Sequence, residues 1–165
     1  MSVLVCYDGS PSARNAVATM ADLVSEHAVT LLHVWNPPMP VLTDALSDRA
    51  NPGGPSTATL TELSGQRAAE IVEEGRRIAQ AHEIAAQTLT ACNESSLAET
   101  ILRVADEQDS SLIILGAHLR GTPGPTLEST SAAVFTRARR PVLVIPMSDR
   151  AVPDVPVGAA PAPAR

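Results

Sequence analysis

The sequence contains no lysine: all 12 of its basic residues are arginines, set against 18 acidic residues, and the formal net charge is −6. A chain without lysine cannot have the phosphate-binding lysine of a Walker-type loop, a Schiff-base lysine or a Ser–Lys nucleophile pair. The receiver type of doubly wound domain, which uses a lysine near its phospho-acceptor Asp, is disfavoured for the same reason. The acidic balance also argues against nucleic-acid binding, because such a surface needs cations that neutralise phosphates.

Cysteine and histidine are scarce and scattered. The two cysteines, Cys6 and Cys92, lie in apolar strand-like runs, and we interpret them as core residues that behave as small hydrophobes. The sequence has no C-x-x-C pair, and no two of its four histidines stand at H-x-x-x-H spacing. The sequence therefore supports no metal site.

Long apolar runs are also missing. No stretch approaches the ~20 residues that a membrane helix needs. The opening segment MSVLVCYDGS lacks the basic region that precedes the apolar part of a signal peptide. A cytoplasmic protein without a membrane partner is therefore expected, and 165 residues with 44% hydrophobic content suit one domain.

Short apolar runs alternate with helical patterns along residues 1–148. Strands are predicted at 3–7, 28–35, 85–92, 111–116 and 141–146. Helices are predicted from Pro11 within DGSPSARNAVATMADLVSE, at about 57–82, after Ser96 within SSLAETILRVADEQ, and at about 129–138. Repeated strand–helix units with fully apolar strands imply a parallel sheet covered on both faces. The predicted fold class is α/β: an open, doubly wound, parallel five-stranded sheet of order 3-2-1-4-5 with helices on both faces.

Two segments lack this periodicity. The 36–56 stretch carries five prolines and two glycines, and it is interpreted either as a lid or as an insertion. Residues 149–165 form a Pro/Ala-rich tail that is predicted to be disordered, outside the domain at 1–148.

In a sheet of this order, ligands bind beyond the carboxyl ends of the first and fourth strands. Asp8 follows the first strand, where its carboxylate can accept hydrogen bonds from a ribose or a base edge. The alternative is that Asp8 caps the first helix or fixes the turn at Gly9. Because Ser10 already serves as a helix cap, with Pro11 at the first helical position, the ligand interpretation is preferred.

A glycine-containing segment, GAHLRGTPGPTLESTSAAV at 116–134, follows the fourth strand. Backbone N–H groups of such a segment, with the helix N-terminus beyond it, can cradle phosphates. Its candidate ligand-binding residues are Gly116, Arg120, Gly121, Gly124, Ser129 and Ser131. The alternative is a flexible loop that leads into an N-capped helix, and for a single glycine loop taken without further context this alternative is preferred.

The sequence resembles the universal stress protein family over nearly all of its predicted domain. The segments that carry the resemblance are VLVCYDGSPSARNAVATMADL, LLHVWNPP, SSLAETILRVADEQDSSLIILGAH and STSAAVFTRARRPVLVIP. The resemblance implies a cytoplasmic, usually homodimeric α/β protein of stress response, many of whose relatives bind ATP. It also implies dimerisation through the last strand, here Val142, Leu143, Val144 and Ile145.

The nucleotide motif of the family, G-x-x-G-(nine residues)-G-[S/T], is only partly present. Asp8 matches the family's nucleoside-binding Asp, and Gly116 and Ser129 match the first glycine and the hydroxyl. Leu119 stands at the second glycine, Glu128 at the third, and the interval is one residue short. A Glu at a helix N-terminus can occupy the place of a phosphate, or can simply favour helix initiation.

These departures predict a binding and regulatory module with a weakened ATP site. It is expected to have no certain cofactor, and the candidate ligands are ATP and AMP. The alternative is a functional nucleotide site that uses the shifted glycines Gly121 and Gly124. No catalytic residue is assigned, since the sequence offers no nucleophile–base pair, and an ATP hydrolase is disfavoured.

Overall fold

The structure is a computed structural model that describes residues 1–24, 27–38, 56–117 and 130–146. Its elements are β1 (Ser2–Cys6), α1 (Pro11–Val24), β2 (Ala28–Trp35), α2 (Thr57–Ala81), β3 (Ala86–Cys92), α3 (Leu97–Glu107), β4 (Leu112–Gly116), α4 (Thr130–Arg137) and β5 (Val142–Ile145). Most of the predicted 36–56 loop and the whole Pro/Ala-rich tail lie outside the described residues.

The five strands form one parallel sheet in the order β3-β2-β1-β4-β5. The predicted fold class and strand order are confirmed. β1 is the central strand, where Val3 pairs with Val29 of β2 on one side and with Leu112 of β4 on the other. The reversal of strand order therefore falls between β1 and β4, so their carboxyl ends border the crevice that the topology selects.

Alternate residues of β1 enter different cores, because successive side chains of a strand point to opposite faces of the sheet. Val3 and Val5 pack with residues of α1 and α2, while Leu4 packs with residues of α3 and α4. All three side chains are at most 1% exposed. This double burial explains why the strand appears in the sequence as a continuous apolar run.

Serine hydroxyls begin three of the helices. Ser10 Oγ accepts the N–H of Ala13 at 3.2 Å, and the Ser10 carbonyl accepts the N–H of Arg14 at 2.9 Å, so the predicted cap of α1 is present. Ser56 caps α2 through the N–H of Thr59. Ser96 caps α3 through the N–H of Glu99 at 3.2 Å, as the predicted capping box requires of its serine.

Arg140, in the turn before β5, fastens the carboxyl end of α3 to the last strand. Its guanidinium donates to the carbonyl oxygens of Ala105, at 2.8 Å, and Ser110, and it pairs with the Asp106 carboxylate. The side chain is only 19% exposed. A cation at a helix C-terminus meets carbonyl groups that the helix leaves unpaired, so this contact is favourable both as hydrogen bonding and as charge.

Candidate functional site

A cavity of about 120 Å³ opens at the carboxyl ends of β1 and β4. Asp8, Gly116 and Ser131 all line it, so three residues that the sequence predicts as a site are brought together. Arg120, Gly121, Gly124 and Ser129 lie outside the described residues, as do the departures from the family motif at Leu119 and Glu128. The cavity is on the side of the sheet that α3 and α4 cover, with Leu97 and Ile101 of α3 and Thr130 of α4 completing it.

Asp8 shapes the turn between β1 and α1. Its Oδ1 accepts the N–H of Ser10 at 2.9 Å, and Gly9 between them has a φ of 77°, which glycine adopts without strain. The turn-fixing interpretation of Asp8 is therefore correct at the level of geometry. The carboxylate nevertheless lies exposed at the rim of the cavity, so its position is also compatible with a contact to a ligand.

Gly116 lets α1 approach β4 closely. A Cβ added at this position would lie 2.6 Å from the carbonyl carbon of Ser12, 2.7 Å from its oxygen and 2.8 Å from the nitrogen of Ala13. All three are backbone atoms of the first turn of α1, so they cannot move aside without moving the helix. The glycine that the sequence assigns to phosphate binding thus has a packing role that is independent of any ligand.

The N-terminus of α4 borders the cavity through Thr130 and Ser131. The first turn of a helix leaves N–H groups unpaired and carries partial positive charge, which favours an anion. Ser131 Oγ donates to the carbonyl oxygen of Gly116 at 3.2 Å. Its proton is therefore engaged within the protein, and in this arrangement the hydroxyl offers a ligand only acceptor lone pairs.

The wall of the cavity is apolar, with Leu32, Val34, Leu97, Ile101 and Leu115 beside the polar rim. Such a wall suits a flat, weakly polar group such as a nucleobase. Sequence reasoning missed these residues because it assigned them to the core. The positions of Val34 and Leu115 near the carboxyl ends of their strands are the signal that could have identified them.

Burial controls the ionisation of the groups at the end of β1. Enclosure of the Cys6 thiol, assisted by the negative charge of Asp8, raises its pKa to about 12. The residue packs against the α3 and α4 core, although like Cys92 it is only partly buried. A thiol held neutral in this way is a poor nucleophile, which agrees with the interpretation of Cys6 as an apolar packing residue.

Behind the Asp8 turn, on the opposite face of the sheet, Tyr7 packs against α2. A Cβ added at Gly75 would lie 2.9 Å from the Tyr7 ring, so the ring rests directly on the helix backbone. Arg14 and Glu74 form an ion pair beside it at 2.7 Å. The Tyr7 hydroxyl is buried and meets no partner in good hydrogen-bonding geometry among the described residues, and burial with the nearby Glu74 charge raises its pKa to about 12.

Two features are absent from the described residues. No group of three or more His, Cys, Asp or Glu side chains there is arranged to hold a metal ion. No helix within those same ranges combines the length and the apolar character needed to cross a bilayer.

Comparisons with known proteins agree on one family. The family model described as the universal stress protein family matches residues 1–146. A universal stress family protein of Burkholderia pseudomallei has a similar structure, with a TM-score of 0.65 and 22% identity over 88% of this chain and 95% of that one. No curated protein sequence matches.

Several of the similar structures contain a nucleotide, among them the following two. The universal stress protein of Archaeoglobus fulgidus in complex with dAMP gives a TM-score of 0.63 at 18% identity, over 88% of this chain and 97% of that one. An Arabidopsis thaliana family protein with AMP bound gives 0.58 at 14% identity, over 90% and 93%. At these identities the structures establish a shared fold, and the family model covers most of the chain. The chain belongs to the universal stress protein family.

Proposed function

We propose that this protein is a binding and regulatory module of universal stress type, whose crevice binds adenine nucleotides weakly. The observation that carries the proposal is the grouping of Asp8, Gly116 and Ser131 with the α4 N-terminus around one apolar cavity. The cavity offers an apolar wall to a base, a carboxylate near the place for a ribose, and a helix N-terminus for phosphate. The AMP and dAMP bound by similar structures support the choice of ligand.

Three features support weak rather than tight binding of a triphosphate. Leu119 and Glu128 replace glycines of the family motif, which removes backbone freedom and adds a negative charge. Ser131 already donates its proton to Gly116. The cavity of about 120 Å³ is smaller than the ~300–1,000 Å³ of typical small-molecule sites, so it encloses only part of a nucleotide.

Titration calorimetry with AMP and ATP tests the proposal. The parent protein is expected to bind ATP no more tightly than AMP, since Glu128 replaces a glycine of the family's phosphate-binding motif and adds a negative charge to it. Glu128→Gln should strengthen ATP binding by about twofold to fivefold, the effect of one charge at a helix terminus, and should change AMP binding less. Glu107→Gln removes the same charge at the far end of α3, so it serves as the matched control and should leave both affinities unchanged. Micromolar or tighter ATP binding by the parent protein would overturn the proposal.

The second candidate is a functional nucleotide site that uses Gly121 and Gly124 in a rearranged loop. What favours it is the repeat of the G-x-x-G spacing five residues later in the sequence. It predicts that Asp8→Ala and Gly124→Leu each weaken adenine nucleotide binding. If both variants bind like the parent protein, this candidate fails.

We propose a cytoplasmic binding protein and not an enzyme. ATP turnover by highly purified protein is expected to equal the buffer rate. An ATPase activity that survives purification and is lost in Asp8→Ala would contradict this expectation.

We also propose that two copies pair through β5, which lies at the edge of the sheet. The carbonyl groups of Pro141 and Ile145 accept hydrogen bonds on the side that faces β4. Because the backbone groups of successive residues point to opposite edges of a strand, the N–H of Val144 points to the open edge. Val144→Pro removes that donor without removing a bond to β4, and it should convert a dimer to a monomer. Light scattering measures the mass, circular dichroism checks the fold, and a parent protein that is monomeric at high concentration would refute the pairing.

A further inference from the structure

A second cavity, of about 340 Å³, lies between β2 and α2 on the α1 and α2 side of the sheet. We call it the β2–α2 groove. Residues that matter for its chemistry are His33, Trp35, Leu60, Ser64, Arg67 and Ile71. None of its lining residues belongs to the nucleotide crevice, which opens on the opposite face. Its volume lies within the ~300–1,000 Å³ range of small-molecule sites.

His33 is the imidazole that lines this groove from β2. It is only 8% exposed, and its Nδ1 lies 2.8 Å from the carbonyl oxygen of Tyr7. A carbonyl oxygen only accepts, so Nδ1 carries the proton, and in the neutral ring Nε2 is then an acceptor. Within the part of the chain that the structure describes, no hydrogen bond reaches Nε2. Nε2 is not one of the fully buried atoms that lack a partner, so it is reached from the groove, where a ligand that brings an O–H or N–H group can donate to it.

The rest of the groove has the character of an aromatic-ring site with a cation at its rim. Trp35, Leu60 and Ile71 supply apolar walls, and the indole is flat. The indole lies close to α2 at Gly65, where an added Cβ would stand 3.8 Å from the ring, at ordinary contact distance. Arg67 at the rim has a side chain that is 76% exposed, and its pair with Glu70 at 3.3 Å is a surface pair of little energy, so a carboxylate can compete for it.

We propose that the β2–α2 groove binds a single-ring aromatic carboxylate that carries a hydroxyl group. The ring lies against Trp35 and the aliphatic wall, the hydroxyl donates to Nε2 of His33, and the carboxylate meets Arg67. This site is independent of the nucleotide crevice and does not rest on the function proposed for it.

Trp35 makes the site directly observable, because it is the single tryptophan of the chain. Its indole N–H gives one resolved resonance in a two-dimensional NMR spectrum of the full chain. We expect 4-hydroxybenzoate to shift that resonance saturably. Benzoate lacks the donor and should bind about twofold to tenfold more weakly, the loss expected for one hydrogen bond. Phenol lacks the carboxylate and should bind more weakly by up to about fivefold, the loss expected for an exposed ion pair. An unmoved resonance at tens of millimolar 4-hydroxybenzoate would overturn the proposal, as would equal affinity for the three probes.

Variants locate the binding. Ser64→Phe should fill the groove and abolish the saturable shift, while Gln66→Phe, two residues on and exposed on the same helix, should leave it unchanged. His33→Phe should weaken 4-hydroxybenzoate to the affinity of benzoate. Asp8→Ala, in the nucleotide crevice, should have no effect. If Ser64→Phe binds like the parent protein, or if Asp8→Ala abolishes binding, the probe does not occupy the groove and the proposal fails.

Discussion

Replacement of Gly116 by alanine should destabilise the protein even when no nucleotide is present. The added methyl carbon would stand 2.6–2.8 Å from three backbone atoms of Ser12 and Ala13, where ordinary contact begins near 3.4 Å. Relief requires α1 to move away from β4 by several tenths of an ångström. That movement loosens the packing of Ala13, Ala16 and Val17, which are at most 3% exposed.

The cost follows from what overpacking does in a close-packed core. An inserted methyl group that forces backbone to shift costs about 1–3 kcal/mol, and the position against rigid helix backbone places Gly116→Ala at about 2–3 kcal/mol. For a chain of this size each kcal/mol lowers the melting temperature by about 2–4 °C, so a decrease of about 4–12 °C is expected. Because the strain lies in the folded state, the slope of the urea transition should stay as in the parent protein.

Urea unfolding followed by circular dichroism measures the change. Gly65→Ala is the matched control: its added Cβ meets only the Trp35 ring, at 3.8 Å, inside α2. Glycine in a helix interior costs roughly 0.5–1 kcal/mol relative to alanine, so this substitution should stabilise. If Gly116→Ala unfolds at the parent midpoint and loses only nucleotide affinity, Gly116 serves the ligand alone and the packing explanation is wrong.

Three further outcomes are expected. Arg140→Met should lower the free energy of unfolding in urea by about 2–3 kcal/mol, because it removes charge-assisted hydrogen bonds at the carboxyl end of α3. The control Arg103→Met removes an exposed ion pair at 2.6 Å and should lower it by less than about 1 kcal/mol. Equal losses would refute the role of Arg140 at the end of α3. Gly75→Ala should destabilise the protein by about 1–3 kcal/mol, because the added methyl group would meet the Tyr7 ring. In a Tyr7→Leu background the same substitution should cost less. An equal cost in both backgrounds would contradict the contact between Gly75 and Tyr7. Burial raises the Cys6 pKa from 9.0 to about 12, so the folded state holds the thiol proton more tightly than the unfolded state does. The contribution of Cys6 to stability is therefore full below about pH 9 and falls as the pH rises toward 12. Cys6→Ala should flatten this decline in the free energy of unfolding measured across pH, and an unchanged slope would refute the burial effect.

Local signals in the sequence predicted most of the fold. The serine caps at Ser10 and Ser96 and the start of α2 at Thr57 were correctly placed. β2 has the predicted bounds, while β3 begins one residue later than predicted, at Ala86. These features depend on residues a few positions apart, which is why a single sequence reveals them. The strand order followed from the repeated strand–helix pattern together with the handedness of parallel crossovers.

Contacts between distant segments could not be predicted. The packing role of Gly116 depends on Ser12, more than a hundred residues earlier, and no local pattern in the sequence predicts that these two residues lie so close together. The same holds for Arg140, which stands in a basic turn of the sequence but binds carbonyl groups of α3 and the segment after it. The site was predicted where topology and residue type agree, at Asp8, Gly116 and Ser131, and its apolar wall was missed because core and ligand walls have the same composition.

The central position of β1 in the sheet affects how the chain folds while it is being synthesised. β1 emerges from the ribosome first and can pair with β2 early, but its other neighbour begins only at Leu112. Until β4 has emerged, the strand that becomes the centre of the sheet has an open, apolar edge, which invites pairing with other chains. Asn15 of α1, whose amide donates to the carbonyl of Pro146 at 2.8 Å, obtains that bond only when the last strand is in place. Nascent chains that stop before residue 112 should therefore aggregate or recruit chaperones, and chains released after residue 146 should not.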